Sequence, residues 1–168
     1  MANFKEELEK IQAFVFDVDG VFTDCTIDID AEGELYRRFN VRDGLAVVRA
    51  IEKGYPIAII SGSRGKQLQR RMESLGIRYI YLEKMSKTES VRNFSERAGV
   101  PLENILYMGD DYPDIEPMRM VGLSVAPADA ADDVRAIARY VSKFTGGAGC
   151  VRDAIEQVLR VHNHWFVY

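Results

Sequence analysis

Short apolar runs alternate with amphipathic stretches along most of this 168-residue chain. Ala13–Phe16, Ile57–Ile60, Tyr79–Leu82, Ile105–Met108 and Leu123–Ala126 are the runs, and Tyr140-Val141 adds a short last one. They are apolar nearly throughout rather than at every second position. That pattern belongs to parallel strands covered on both faces. Between them, residues 43–53 set Leu45, Val48 and Ile51 near one helical face, with Gly54 as a stop. Residues 64–75 predict a helix ending at Gly76. Residues 86–98 predict one that opens on Ser86 with Glu89 three places on, a capping-box spacing, and stops before Gly99. Further helices fit 114–120, 131–138 and 150–161. Strand-helix alternation of this kind predicts an α/β fold with a doubly wound, mainly parallel sheet.

One stretch breaks the alternation. Residues 24–40 place Ile27/Ile29 and Leu35/Tyr36 around Ala31-Glu32-Gly33, which predicts a β-hairpin projecting from the first strand-helix crossover. With no linker, repeat or larger insertion, the whole of 1–168 reads as a single domain without a cap domain.

Composition narrows the classes. Hydrophobic residues make up 47% and charged residues 29%, as in soluble globular proteins. No apolar run approaches the ~20 residues of a membrane span, and MANFKEELEKIQ has no signal-peptide core, so a cytoplasmic protein is expected. A net charge of -4 without a basic block argues against nucleic acid as a partner, and the cations clustered at Arg37, Arg38 and Arg42 read as a solvated surface. Cys25 and Cys150 read as unpaired thiols.

The chemistry collects where open α/β sheets bind ligands, at the carboxyl ends of the strands. Asp17-Val18-Asp19-Gly20 follows the first strand, Ser61-Gly62 the second, and Gly109-Asp110-Asp111 the fourth, with Asp114 just beyond. Lys87 opens the helix after the third strand. Crowded carboxylates raise one another's pKa unless a cation joins them. Mg²⁺, which prefers one or two carboxylates, waters and phosphate oxygens, suits the set. Asp17 and Asp110 are expected as side-chain ligands and Asp19 through its backbone carbonyl. Asp111 and Asp114 are expected to act through water or from behind. A carboxylate can attack phosphorus, so Asp17 is the expected nucleophile. Asp19, on the same side of the extended chain, would serve as acid and base. Ser61, with Gly62 beside it, would hold phosphoryl oxygens, and Lys87 would neutralise their charge. SGSRGK (61–66) is not a Walker A motif.

FDVDGV (16–21), IISG (59–62), Lys87 and GDDYPD (109–114) resemble, in order, the four motifs of the haloacid dehalogenase superfamily. Within it, the chain most resembles the capless 3-deoxy-D-manno-octulosonate 8-phosphate phosphatases. DVDGVFTD, the hairpin, FNVRDGLAV (39–47), GDDYPDI, VGLSVAPADA (121–130) and GGAG carry this likeness nearly end to end. The resemblance implies a Rossmann-like fold and Mg²⁺-dependent hydrolysis of octulosonate 8-phosphate in lipopolysaccharide synthesis. It also implies a homotetramer built on the hairpin, with a neighbouring subunit over the site. Substrate roles follow for Asn40, Val41, Arg42, Asp43, Gly44 and Arg71. An arginine fork at the mouth would suit a substrate carboxylate, with Arg42 and Arg71 as candidates. The family often has arginine where this chain has Ser63, Val48 and Ala148; Arg64 and Arg49 stand next to two of these places. A nine-carbon nonulosonate 9-phosphate uses the same catalytic set and stays open as an alternative substrate. So does a non-catalytic oligomerisation domain that keeps the fold. A phosphomutase normally needs a cap that this chain lacks. His162 and His164 read as a surface segment, and Trp165 and Phe166 in the 161–168 tail as a contact with a neighbouring subunit.

Overall fold

The computed structural model describes residues 4–63, 65–82 and 85–167. Its centre is a six-stranded sheet, and every neighbouring pair in it runs parallel. The strands are β1 (Ala13–Phe16), β4 (Ile57–Ser61), β5 (Tyr79–Leu82), β6 (Ile105–Met108), β7 (Leu123–Ala126) and β8 (Tyr140–Val141). Their spatial order is β5-β4-β1-β6-β7-β8. The order therefore reverses at β1, where ligand-binding crevices form in doubly wound sheets.

The continuous apolar runs have the cause inferred for them. Phe14 and Phe16 point to one face, while Ala13 and Val15 point to the other. The first face is covered by α1 (Phe4–Lys10), α2 (Val41–Glu52), α3 (Lys66–Ser74) and α7 (Cys150–Val161), through residues such as Leu8, Val47, Met72 and Ile155. The second is covered by α4 (Lys87–Ala98), α5 (Ile115–Met120) and α6 (Asp132–Ile137), through Phe94, Met118 and Val134. The two edge strands, β5 and β8, are partly exposed along their whole length. The Ser86/Glu89 capping box is formed at the start of α4, and Gly99 closes that helix in the left-handed region at φ 67°.

Two elements differ from the sequence reading. Helix α1 was not predicted: Leu8 is the only residue in it that is fully buried, so its pattern is too short to stand out. The hairpin is smaller than expected. Strands β2 (Asp28–Ile29) and β3 (Leu35–Tyr36) pair over two residues each. Asp30 organises the turn by accepting the backbone N–H groups of Glu32 and Glu34 and the Tyr36 hydroxyl.

The C-terminal tail requires two corrections. Trp165 is buried in this chain's own core, with Arg152 over its ring at 5.4 Å, and Phe166 packs beneath Arg49 at 4.7 Å. The Trp165 ring is therefore not a surface left over for a neighbour, while Phe166 stays partly exposed. His162 and His164 are half-buried rather than a polar surface segment. Both Nδ1 atoms meet the Tyr55 hydroxyl, at 2.5 and 3.0 Å. His162 Nε2 lies 2.9 Å from the Glu9 carbonyl, so it carries the hydrogen. Its Nδ1 then accepts from Tyr55, and the Tyr55 oxygen accepts from His164.

Candidate active site

The crevice at the reversal point is lined by segments that the fold brings from four places. Asp17 follows β1, Ser61 ends β4, Lys87 opens α4, and Gly109-Asp110-Asp111 follows β6. Lys87 donates to Asp17 Oδ2 at 2.8 Å and to Asp114 Oδ1 at 2.7 Å. Asp17 Oδ1 accepts the Val18 N–H at 2.7 Å. Burial, then the nearby Asp114, pushes the Asp17 carboxyl up to about 7 against the pull of Lys87. Burial alone would lower the Lys87 ammonium, but Asp17 and Asp114 carry it above its ordinary range.

Asp114 is fully buried and its carboxylate is saturated. Lys87 and the Tyr107 hydroxyl, the latter at 2.6 Å, occupy Oδ1, while the Asp110 and Asp111 N–H groups occupy Oδ2. Gly109 permits this, because a Cβ there would overlap the Asp114 side chain. Asp110 is different: its Oδ1 is buried with no hydrogen-bond partner. Burial, then Asp17 and Asp114, pushes Asp110 up to about 7 as well. Gly20, at φ +88°, lies against it so closely that any Cβ would collide with the Asp110 carboxylate.

These facts test the inferred metal. Asp17, Asp110 and Asp114 offer oxygens within 4.8 Å of one another, the one such group among the described residues. Asp114 has no lone pair to spare, whereas Asp17 and Asp110 keep acceptor capacity. The donor set is hard oxygen, and Asp110 keeps a buried oxygen with no hydrogen-bond partner, which fits Mg²⁺. Asp111 is exposed, caps the short helical turn Tyr112–Asp114 and lies outside the trio.

Asp19 sits beside this group with both oxygens taken. Arg37 donates through Nε at 2.6 Å and Nη2 at 3.2 Å, and the Ser63 hydroxyl donates at 2.7 Å. Burial would raise Asp19, but Arg37 and Ser63 hold it below the usual carboxylate range. Sequence reasoning left Arg37 among the surface cations. The strand's period of two gives the missed signal, since Tyr36 points outward. Ser61 is buried, and its hydroxyl accepts the Ser63 N–H at 3.1 Å.

Over 158 residues the chain is 36% identical to 3-deoxy-D-manno-octulosonate 8-phosphate phosphatase KdsC of Escherichia coli (strain B / BL21-DE3), spanning 94% of this chain and 84% of that protein. The chain belongs to the 3-deoxy-D-manno-octulosonate 8-phosphate phosphatase family. A family model described as haloacid dehalogenase-like hydrolase matches residues 74–155. The octulosonate 8-phosphate phosphatase of Yersinia pestis superposes with a TM-score of 0.93 at 34% identity, covering 95% of this chain and 86% of that one. The enzyme of Moraxella catarrhalis, solved with a magnesium ion, a phosphate ion and a KDO molecule, gives 0.91 at 31% identity over 95% and 91%. The capless architecture holds in this member of the octulosonate phosphatase family.

Beyond the carboxylates, the expected substrate residues of this family member fall into two groups. Val41 and Arg42 are exposed on the first turn of α2, and Gly62 is exposed after Ser61. The others are occupied. Asn40 caps α2 by accepting the Arg42 N–H at 2.8 Å and donates to the Gly147 carbonyl at 3.1 Å. Asp43 does not face the mouth: it is fully buried and accepts the Arg152 N–H. Gly44 makes room for the Arg71 guanidinium, which lies 5.9 Å from the Phe39 ring. Arg64 lies outside the described residues. A groove of about 300 Å³ runs between the hairpin base (Asp24, Arg38, Phe39, Asn40) and Thr145–Ala148. Gly146–Ala148 in that loop belong to the GGAG segment that carries part of the family resemblance.

Proposed function

We propose that this chain hydrolyses 3-deoxy-D-manno-octulosonate 8-phosphate to octulosonate and phosphate, with Mg²⁺ as its cofactor. The observation that carries the reading is Lys87 tying Asp17 to Asp114 beside an Asp110 oxygen that has no partner. Such a site holds one nucleophilic carboxylate, one fixed ammonium and one vacant hard ligand. The E. coli and Yersinia relatives named above are octulosonate 8-phosphate phosphatases, and the Moraxella enzyme holds magnesium, phosphate and KDO together. This favours the eight-carbon acid over a nine-carbon one.

In this reading Asp17 attacks phosphorus as the ester P–O bond breaks, and the leaving oxygen takes a proton from Asp19. Asp19 then accepts a proton from the water that hydrolyses the aspartyl-phosphate. Asp17, Asp110 and the Asp19 carbonyl would hold Mg²⁺, which would neutralise charge on the phosphoryl oxygens. Asp111 and Asp114 orient that set, with Asp114 doing so through its saturated carboxylate. Ser61, Gly62 and Lys87 would receive phosphoryl oxygens. Val41, Arg42 and Arg71 would face the sugar acid along the groove by the hairpin base, and Arg64 is assigned there from sequence alone.

The family's tetramer is proposed here too. Ile29 is 68% and Val41 79% exposed, and Ile27, Tyr36 and Leu45 extend this apolar surface over the hairpin and the α2 start. No helix among the described residues is long and apolar enough to cross a membrane. Two unpaired thiols favour the cytoplasm as the place of work. We read 1–168 as one domain.

Phosphate release with Mg²⁺ across octulosonate 8-phosphate, a nonulosonate 9-phosphate, hexose phosphates and 4-nitrophenyl phosphate tests the reading. A kcat/KM preference of ~100-fold for the first, lost in Asp17→Asn, is the expected result. A flat profile would remove the substrate assignment. An active Asp17→Asn would remove the mechanism.

A further inference from the structure

Arg37 and Arg38 are neighbours in sequence with opposite fates. The Arg38 side chain is 90% exposed, whereas Arg37 is 4% exposed and forks both oxygens of Asp19. Ser63, from the loop after β4, adds a third donor. Asp19 lies on a loop, where an unsupported carboxylate samples several rotamers. Here two separate segments fix its plane. The Arg37 fork and the Ser63 hydroxyl hold the Asp19 carboxylate in one orientation beside Asp17.

We infer that Arg37, from the base of the hairpin, is a positioning residue for the hydrolytic half of the reaction, holding Asp19 as the carboxylate that draws a proton from the attacking water. The inference rests on the phosphatase reading above. It gives Arg37 no contact with the substrate, because its fork is spent on Asp19. In the step concerned, the water oxygen forms a bond to phosphorus and the bond from phosphorus to Asp17 breaks. One water proton passes to Asp19. A misplaced Asp19 slows this step, and the phosphorylated enzyme then accumulates.

The test uses Arg37→Ala, Arg37→Lys and Ser63→Ala in the full chain with Mg²⁺, and 4-nitrophenyl phosphate as probe. For Arg37→Ala, kcat is expected to fall ~10–100-fold and KM to fall with it, leaving kcat/KM within ~3-fold of wild type. Rapid mixing should give a burst of nitrophenol near one per site, and mass spectrometry of acid-quenched enzyme should show a phosphoryl adduct. Arg37→Lys, which keeps the charge and loses the fork, should fall between, and Ser63→Ala should shift kcat the same way by less. If Arg37→Ala folds poorly, the lysine and Ser63 variants still carry the burst measurement. Unchanged kcat without adduct overturns the inference. So does a loss confined to KM for octulosonate 8-phosphate, which would make Arg37 a substrate contact. A wild type that releases phosphate from neither ester sinks the phosphatase reading, and the inference with it.

Discussion

Asp43, on the first turn of α2, accepts the backbone N–H of Arg152 at 2.8 Å, so α7 receives a carboxylate cap from another helix. Its second oxygen is buried without a partner. Burial dominates, and it pushes the carboxyl from 3.8 to about 6 against the help of Arg152. The folded state therefore binds this proton more tightly than the unfolded chain does. The stability linked to it is fully present below pH 3.8 and is lost as pH rises through about 6, at about 3 kcal/mol in all. Asp43→Asn keeps the acceptor and removes the titration. Urea melts from pH 4 to 8 should show the wild type losing stability relative to the variant. A variant that is less stable at pH 8 would mean the charge itself is needed at the helix start.

Metal and protons compete at the neighbouring site. Without a cation, Asp17 and Asp110 both sit near 7, raised from 3.8 first by burial and then by other carboxylates. Metal-free stability from these groups is present below pH 3.8 and declines up to about pH 7. Mg²⁺ replaces their protons. Its rise in Tm should be small at pH 5.5 and several degrees at pH 8, with proton release seen by calorimetry in two buffers. An equal shift at both pH values would contradict this.

Gly20→Ala places a methyl group inside the Asp110 carboxylate and forces a side chain onto φ +88°. Strain of this kind costs about 1–3 kcal/mol. The displaced Asp110 should also weaken Mg²⁺ binding by at least tenfold, read by titration calorimetry. Gly33→Ala, in the hairpin turn at φ +82° with open space around it, should cost stability alone.

Tyr55→Phe removes the hydroxyl shared by His162 and His164. Both ring nitrogens lose their partner in a half-buried place, at about 1–2 kcal/mol. Thermal melts should record that loss while phosphate release stays within about twofold, because the cluster lies at the opposite end of β4 from Ser61.

Much of this was legible in sequence because it depends on local pattern. A strand buried on both faces must be apolar throughout, and Ala13–Phe16 and Ile105–Met108 are. The Ser86/Glu89 cap is a spacing within one turn. The carboxylates could be gathered because the carboxyl ends of parallel strands share one edge. What escaped depends on partners far along the chain. Tyr55 meets histidines 107 and 109 residues away, and nothing near either end announces it. Asp43 sits in a segment that reads as substrate-binding, yet its direction is set by α7. Arg37 looked like one of several surface cations, because only the seating of the hairpin turns it toward Asp19.

The central strand has one more consequence. Ala13 pairs with Ile105 on one side, and Phe14 with Ile57 on the other. As the polypeptide leaves a ribosome, this central, wholly apolar strand emerges before β4 and β6 and waits for both neighbours to be synthesised. Folding must then be largely delayed until β6 is out, leaving an adhesive segment exposed during translation. Chaperone dependence in the cell should therefore track the Phe14-Val15-Phe16 run more closely than any residue of the crevice.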